Sequence, residues 1–201
     1  MMFGDSLERL RVTAMRRLQG WATERRVLRG IPVTLVNTRR DIDSELVFQR
    51  LGTALGIIQQ YQPDTFASIT RDFSRIHVAR FPCRGAFFPD SRVCLTELTF
   101  TVNPDFTEAQ VASSIVHEGM HARVHALSES DATQRPDEER LCRQAELAFG
   151  LAVPNGEAIV RRALDSLALD DEAVAPAIDW DRAQELVREV DARAAGPKTA
   201  G

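Results

Sequence analysis

The chain has 201 residues, of which 44% are hydrophobic and 27% are charged, and its formal net charge is −4. This composition is typical of a globular chain with one well-buried core, and three cysteines are too few for a disulfide scaffold. No run approaches the ~18 apolar residues of a membrane span, and no signal peptide is recognisable, so we expect a cytoplasmic bacterial protein without a membrane partner.

Arginine is concentrated at the N-terminal end. Residues 1–40 carry nine arginines against three acidic residues, which gives +6 there and leaves −10 for the rest of the chain. An Arg-rich segment such as 9–40 can contact nucleic acid. We expect a solvated helix face instead, because no nucleic-acid-binding motif accompanies it.

The first half of the chain predicts helices alternating with strands. Apolar residues at helical spacing predict a helix over 5–28 that Gly30 ends, and IPVTLVNT (31–38) predicts a strand. A second helix is expected from Asp43 or Ser44 to just before Pro63. RIHVARF (75–81) alternates like a strand.

The middle of the chain predicts a turn and an edge strand. CRGAFFPDS (83–91) supplies turn residues, and RVCLTELTFTVNP (92–104) alternates with a period of two. One buried face and one exposed face indicate a strand in an antiparallel or edge position of a sheet.

Helices are expected from residue 107 onwards. Thr107 and Gln110 form a capping box at the start of a helix over 107–127, and a polar loop (128–134) follows. Pro136 indicates the first turn of the next helix, which should end near Pro154. Further helical segments are predicted at 156–169 and 179–194.

The segment SSIVHEGMHARVH (113–125) holds three of the four histidines and contains H-E-x-x-H at residues 117–121. His117 and His121 lie one helical turn apart on one face, so both imidazoles can reach one ion at the ~2.0–2.1 Å of a Zn–N bond. Glu118 points beside that axis, where it can take a proton from a zinc-bound water. We therefore predict one zinc ion per chain; the alternative is a polar helix face with two hydrogen-bonded histidines.

A catalytic zinc needs a third protein ligand. His125 lies two turns from His117, ~12 Å along the helix, which is too far to share the ion. The next helix offers Glu139, with Glu146 and Glu138 as alternatives and the Cys142 thiolate as a competitor. We favour Glu139, because the loop and one helical turn let the chain return beneath the metal.

These residues resemble the gluzincins, zincin metallopeptidases whose signature is H-E-x-x-H with a downstream helical glutamate. SSIVHEGMHARV is similar to their active-site helix and EERLCRQAELAF to their ligand helix, and the resemblance covers roughly residues 70–154. It implies that His117, His121 and Glu139 bind zinc and that Glu118 is the catalytic base. It also implies that the strand over 92–102 aligns an extended peptide by main-chain pairing.

Two features depart from the gluzincin pattern. Many gluzincins carry an acid or Asn four residues after the ligand glutamate to orient a histidine, but this chain has Arg143 there, which moves that role to Glu146. No tyrosine or histidine is an assured oxyanion donor: Tyr61 is the only tyrosine, and the eligible residues for stabilising the transition state are His125, Arg143, Arg123 and His77.

We therefore predict an α+β, zincin-like single domain over 1–201, with a small mixed or antiparallel sheet packed on the active-site helix and additional flanking helices. Its parts are an N-terminal helical and strand part (1–65), a metal-binding core (66–154), C-terminal helices (155–195) and a disordered tail (196–201). The predicted function is zinc-dependent hydrolysis of a peptide or protein substrate. The alternative is a non-catalytic or regulatory zincin-fold protein that binds a protein partner, for example a repressor or a DNA-associated protein.

Overall fold

The computed structural model describes residues 23–127, 135–176 and 179–194. Five strands are present in these residues: β1 (Thr23–Leu28), β2 (Ile31–Val36), β3 (Arg75–Ala79), β4 (Gly85–Phe88) and β5 (Val93–Glu97). The helices among them are α1 (Ser44–Tyr61), α2 (Pro63–Asp72), α3 (Leu98–Val102), α4 (Glu108–Leu127), α5 (Arg135–Ala152), α6 (Glu157–Leu167), α7 (Asp171–Val174) and α8 (Trp180–Ala194). The predicted loop (128–134), the predicted tail (196–201) and the first part of the predicted N-terminal helix lie outside the described residues.

The strands form one mixed sheet in the order β1-β2-β3-β5-β4. β2, β3 and β5 run parallel, whereas β1 and β4 pair antiparallel at the two edges. The predicted α+β class with a small mixed sheet is therefore confirmed.

The predicted N-terminal helix is wrong over 23–28, which form strand β1. Arg29 and Gly30 both have positive φ, 49° and 87°, which is the backbone of the tight turn that joins hairpin strands. The turn pairs β1 with β2 along its whole length. Val27 is exposed, so residues 23–28 carry no helical stripe of buried apolar side chains.

The predicted edge strand over 92–104 is also wrong in its extent and position. β5 ends at Glu97, whose carboxylate accepts a hydrogen bond from the backbone N of Phe100 at 2.6 Å and so caps the short helix α3. All five residues of β5 are buried, because it lies between β3 and β4. The edge strand is β4, in the segment predicted as a turn.

Helices α1, α2 and α4 pack together with the sheet around one apolar core, which includes Leu55, Ile69, Ile76 and Ile115. α2 begins at Pro63, where the sequence predicted only the end of α1; proline suits the first turn because the N–H it lacks has no helical partner there. No helix in the described ranges combines the length and apolar composition that a membrane crossing requires.

The C-terminal helices extend this core, to which Phe149 and Ile159 belong. α5 packs on α4, and α6 packs on α5. Asp191 of α8 forms ion pairs with Arg39 at 3.0 Å and Arg80 at 2.8 Å, which anchors α8 beside the ends of β2 and β3. The helices predicted at 156–169 and 179–194 correspond to α6 and α8.

Candidate metal centre

Helix α4 carries the H-E-x-x-H segment and is fixed at two points. The predicted capping box is present: Gln110 N donates to Thr107 Oγ1 at 3.2 Å, and Thr107 N donates to Gln110 Oε1 at 2.8 Å. In the middle of the helix, a Cβ on Gly119 would lie 2.7 Å from Cγ1 of Ile69. The missing side chain therefore lets α2 pack directly against the turn that holds the two histidines.

His117 and His121 point their Nε2 atoms at each other. The two atoms are 3.2 Å apart, and the rings meet nearly edge to face. His117 is buried and His121 is partly buried. Helical spacing thus brings the two ring nitrogens together, as the sequence indicated.

Helix α5 returns antiparallel and places Glu139 against both histidines. Its two carboxylate oxygens lie 3.4 Å from Nε2 of His117 and 3.5 Å from Nε2 of His121. Neighbouring ligands on a tetrahedral zinc with bonds of ~2.0–2.1 Å are about 3.3–3.4 Å apart. The two histidine nitrogens are therefore near this spacing, and each oxygen of Glu139 lies close to it from one of the two nitrogens.

Cys142, one turn after Glu139, also reaches this point. Its Sγ, with one ring nitrogen each of His117 and His121, forms a group whose atoms all lie within 4.8 Å of one another. Burial raises the pKa of the Cys142 thiol to about 11, so the thiol stays protonated unless a cation binds it. We favour Glu139 as the third ligand, because each of its oxygens lies within 3.5 Å of one histidine Nε2 and a carboxylate is ionised at neutral pH.

The outer nitrogens of both imidazoles face carboxylates. Glu138 Oε1 lies 2.6 Å from Nδ1 of His121, a contact that fixes the ring and leaves its Nε2 lone pair free for a metal. Glu146 Oε1 lies 3.6 Å from Nδ1 of His117, beyond hydrogen-bonding distance, and Nδ1 is buried without a partner in the described part of the chain. Glu138 and Glu146 therefore stand behind the histidines, on the side away from the Nε2 atoms.

Glu118 is 6% exposed, and among the described residues its carboxylate makes no hydrogen bond or ion pair. Strand β4 passes directly over it: a Cβ on Gly85 would lie 2.7 Å from Glu118 Oε1 and 3.0 Å from Ser114 Oγ. Burial raises the pKa of Glu118, although His117 and His121 oppose the shift. A buried carboxylate with an elevated pKa and no protein partner suits a proton acceptor.

The charges of the site favour a bound cation. Burial alone would raise the pKa of Glu139 and lower that of His121. Contacts with His117 and His121 reverse the shift of Glu139, and contacts with Cys142, Glu138 and Glu139 reverse the shift of His121. Glu118, Glu138 and Glu139 thus bring three carboxylates to two imidazoles. Such a group is balanced either by protonated histidines or by a divalent ion.

Other predicted site residues lie farther out. His125 is exposed, and its ring centroid is 6.5 Å from that of Phe87 on β4. Arg143 donates to Glu146 at 2.9 Å. Neither residue has a contact with the Nε2 atoms of the histidines or with Glu118 in the described residues.

The sequence did not single out the segment before β4. Cys83 lies close enough to Glu118 that this carboxylate, after burial, helps to raise the pKa of the thiol to about 12. Arg84 and Gly85 follow, and Gly85 contacts Glu118. The turn-like composition of this segment led to the prediction of a turn instead of a strand. Gly85 was the available signal for its closeness to Glu118, because glycine permits a close backbone approach.

Comparison with known protein families, curated proteins and solved structures gives no match for this chain.

Proposed function

We propose that this chain is a zinc-dependent peptidase of the gluzincin type. The observation that carries the proposal is the approach of the Glu139 carboxylate to the facing Nε2 atoms of His117 and His121, beside the unpartnered buried carboxylate of Glu118. A structural zinc site has no use for such a carboxylate, whereas hydrolysis requires a base.

His117, His121 and Glu139 would hold the ion as three protein ligands, which leaves one tetrahedral position open. When bound, zinc polarises a substrate carbonyl and makes water a nucleophile at neutral pH. Glu138 keeps His121 in the tautomer whose Nε2 is unprotonated, since its carboxylate accepts the Nδ1 proton.

Glu118 performs the proton transfers in this proposal. Its carboxylate takes a proton from the attacking water and delivers it to the leaving amine, so that the C–N bond breaks without expulsion of an amide anion. The elevated pKa of Glu118 supports both steps, because it makes the carboxylate a stronger base than an exposed glutamate.

Strand β4 is placed to align the substrate. It is the last strand of the sheet on this side, and Gly85 touches Glu118. An extended peptide that pairs with the free edge of β4 by main-chain hydrogen bonds would pass the base. This role was expected for the strand over 92–102, which is buried between two neighbours and has no free edge over β5.

A non-catalytic metal-binding protein is the second candidate, and Cys142 favours it. If the Cys142 thiolate joined His117, His121 and Glu139, four protein ligands would close the site and exclude substrate. Such a protein would use its metal for stability and hold a protein partner elsewhere.

The test is hydrolysis of a peptide mixture by the zinc-loaded protein, with new termini identified by mass spectrometry. The control is Glu118→Gln, which keeps the volume of the side chain and removes the base. We expect cleavage by the wild type and a loss of ~10²–10⁴-fold in the variant, at equal zinc content. Cleavage that survives Glu118→Gln would refute this mechanism, and zinc binding without cleavage would favour the non-catalytic candidate.

A further inference from the structure

Strand β4 carries an aromatic side chain on the same face as Gly85. Gly85 and Phe87 are two residues apart along the strand, so both face the same side of the sheet, the side that helix α4 covers. A Cβ on Gly85 would lie 2.7 Å from Glu118 Oε1, and the ring centroid of Phe87 lies 6.5 Å from that of His125. β4 therefore runs along α4, with the proposed base beside Gly85 and an aromatic ring at the next position on that face.

Phe73, Phe87 and His125 form an aromatic cluster at this position. Phe73 is buried, and its ring stacks on that of Phe87 with centroids 5.9 Å apart and an angle of 25° between the planes. The ring of His125 meets that of Phe87 at 63°, as an edge contact. Phe87 is half-buried and His125 is exposed, so the cluster is anchored at Phe73 and accessible at the other two rings.

The outer edge of β4 relates this aromatic cluster to an extended peptide. In the ranges that the structure describes, β4 pairs with β5 alone, which leaves its other edge for main-chain pairing. Side chains of a paired peptide alternate between the two faces, and each lies opposite a β4 residue at a Cβ separation of ~4.5–5.5 Å. When one peptide residue lies opposite Gly85, and hence nearest Glu118, the residue two positions along lies opposite Phe87.

We propose that Phe87 and His125 select an aromatic or large aliphatic side chain of the peptide substrate, and this inference rests on the proposed peptidase function. The selected side chain belongs to the second or third residue from the cleaved bond, because the residue opposite Gly85 lies on one side of that bond. Aromatic rings attract a further ring in stacked or edge-to-face geometry, and apolar contact removes water from both surfaces. Phe73 is a positioning residue, which acts by stacking on Phe87.

The next residue of β4 provides a matched control. Phe88 follows Phe87 directly, so its side chain lies on the opposite face of the sheet, where its ring centroid is 6.3 Å from that of Phe81. Phe88 is half-buried, as Phe87 is. Truncation of Phe88 to alanine therefore removes the same atoms from the same strand and leaves the aromatic cluster intact.

The test is peptide binding to the zinc-loaded Glu118→Gln protein, which lacks the base and so holds the peptide without hydrolysis. Four octapeptides, blocked at both ends and otherwise composed of Ser, Thr and Ala, differ at one central position, which is Phe, Leu, Ala or Glu. Calorimetry gives the Kd of each. We expect Phe to lower the Kd about tenfold relative to Ala, Leu to lower it less, and Glu not to lower it.

Three variants in the same Glu118→Gln background locate the effect. Phe87→Ala should abolish the gain from Phe, whereas Phe88→Ala should keep it. His125→Ala removes an exposed side chain, which leaves the fold intact, and should reduce the gain about threefold. Zinc content per chain, measured for each variant, verifies that α4 and α5 remain in place.

Equal binding of the Phe and Ala peptides, or no binding of any peptide, would overturn the proposal. A gain that survives both Phe87→Ala and His125→Ala, or that Phe88→Ala removes equally, would also overturn it. Hydrolysis of the same peptides by the wild type is scored separately by mass spectrometry, and we expect the cleaved bond at the second or third residue from Phe. Hydrolysis without this preference refutes only the role of the aromatic cluster, and Phe-dependent binding without hydrolysis refutes only the peptidase.

Discussion

The Nε2 atoms of His117 and His121 lie 3.2 Å apart, and the carboxylate of Glu139 spans both at 3.4 and 3.5 Å. Two helices thus bring two ring nitrogens and one carboxylate together, at N–N and N–O separations close to those of neighbouring zinc ligands. The approach of Glu139 to the two histidines is a property of the α4–α5 packing, and neither helix would produce it alone.

The contact between Glu138 and His121 should set the strength of metal binding. Glu138→Ala removes the acceptor of the Nδ1 proton of His121, so we expect the zinc Kd to rise ~10–100-fold. Peptide hydrolysis, in which Glu118 is the base, should persist at saturating zinc. Competition with a chromogenic chelator measures the Kd. Asp137→Ala, an exposed neighbour, is the control and should leave the Kd unchanged; equal effects of the two substitutions would show that general charge, not this contact, matters.

Gly85 should matter for turnover and not for metal binding. Gly85→Ala would place Cβ 2.7 Å from Glu118 Oε1, so the base must move. A displacement of ~1 Å can cost 10²-fold, and we expect a kcat/KM loss of that order at unchanged zinc content. Kinetics with a fluorogenic peptide and elemental analysis measure the two quantities.

The control for that substitution is Gly52→Ala in the middle of α1, where a Cβ meets nothing within 4 Å. It should leave kcat/KM unchanged and raise the free energy of unfolding by ~0.5–1 kcal/mol, because alanine favours the helix. Full activity of Gly85→Ala would contradict the placement of β4 over the base.

His77 on β3 should make the protein acid-sensitive. Burial, with a smaller effect of Arg75, lowers the pKa of His77 from 6.5 to about 4, and its Nε2 is buried without a partner in the described residues. Between these pH values the unfolded chain binds the proton and the folded chain does not, so stability present above pH ~6.5 falls as the pH drops to ~4.

His77→Leu removes this titration. Urea unfolding at pH 7, 5.5 and 4 should show a smaller decline in the free energy of unfolding for the variant, by at most about 3 kcal/mol, since one pKa unit corresponds to 1.36 kcal/mol. An equal decline of the free energy of unfolding with falling pH in the two proteins would show that His77 has the same pKa in the folded and the unfolded chain.

Parts of the molecule that depend on local signals could be predicted from the sequence. The Thr107–Gln110 cap and the four-residue spacing of His117 and His121 act within one helix, and both are present in the structure. Strand β2 was equally predictable, because its apolar run is a local property of the sequence.

Parts that depend on tertiary pairing were not predictable. β1 and β4 are short and polar or turn-like, and they become strands only by pairing with β2 and β5. Alternation in 92–104 could not show that the side chain of Glu97 would cap a helix and end β5.

The sequence also could not predict which glutamate of α5 faces the two histidine nitrogens. Glu138, Glu139 and Glu146 were all eligible ligands, because the rotation of α5 against α4 is fixed by packing across the loop that joins them. In the structure Glu139 faces the Nε2 atoms, whereas Glu138 and Glu146 stand behind the rings. That choice is worth testing by metal analysis.

The decisive measurement is zinc per chain by elemental mass spectrometry, made side by side on the wild type, His117→Ala, Glu139→Gln and Cys142→Ser. We predict one zinc in the wild type, loss in His117→Ala and Glu139→Gln, and retention in Cys142→Ser. Zinc that is lost in Cys142→Ser but kept in Glu139→Gln would assign the third ligand to the thiolate and contradict the open site. A wild type without zinc, after purification with zinc supplied, would contradict the metal centre itself.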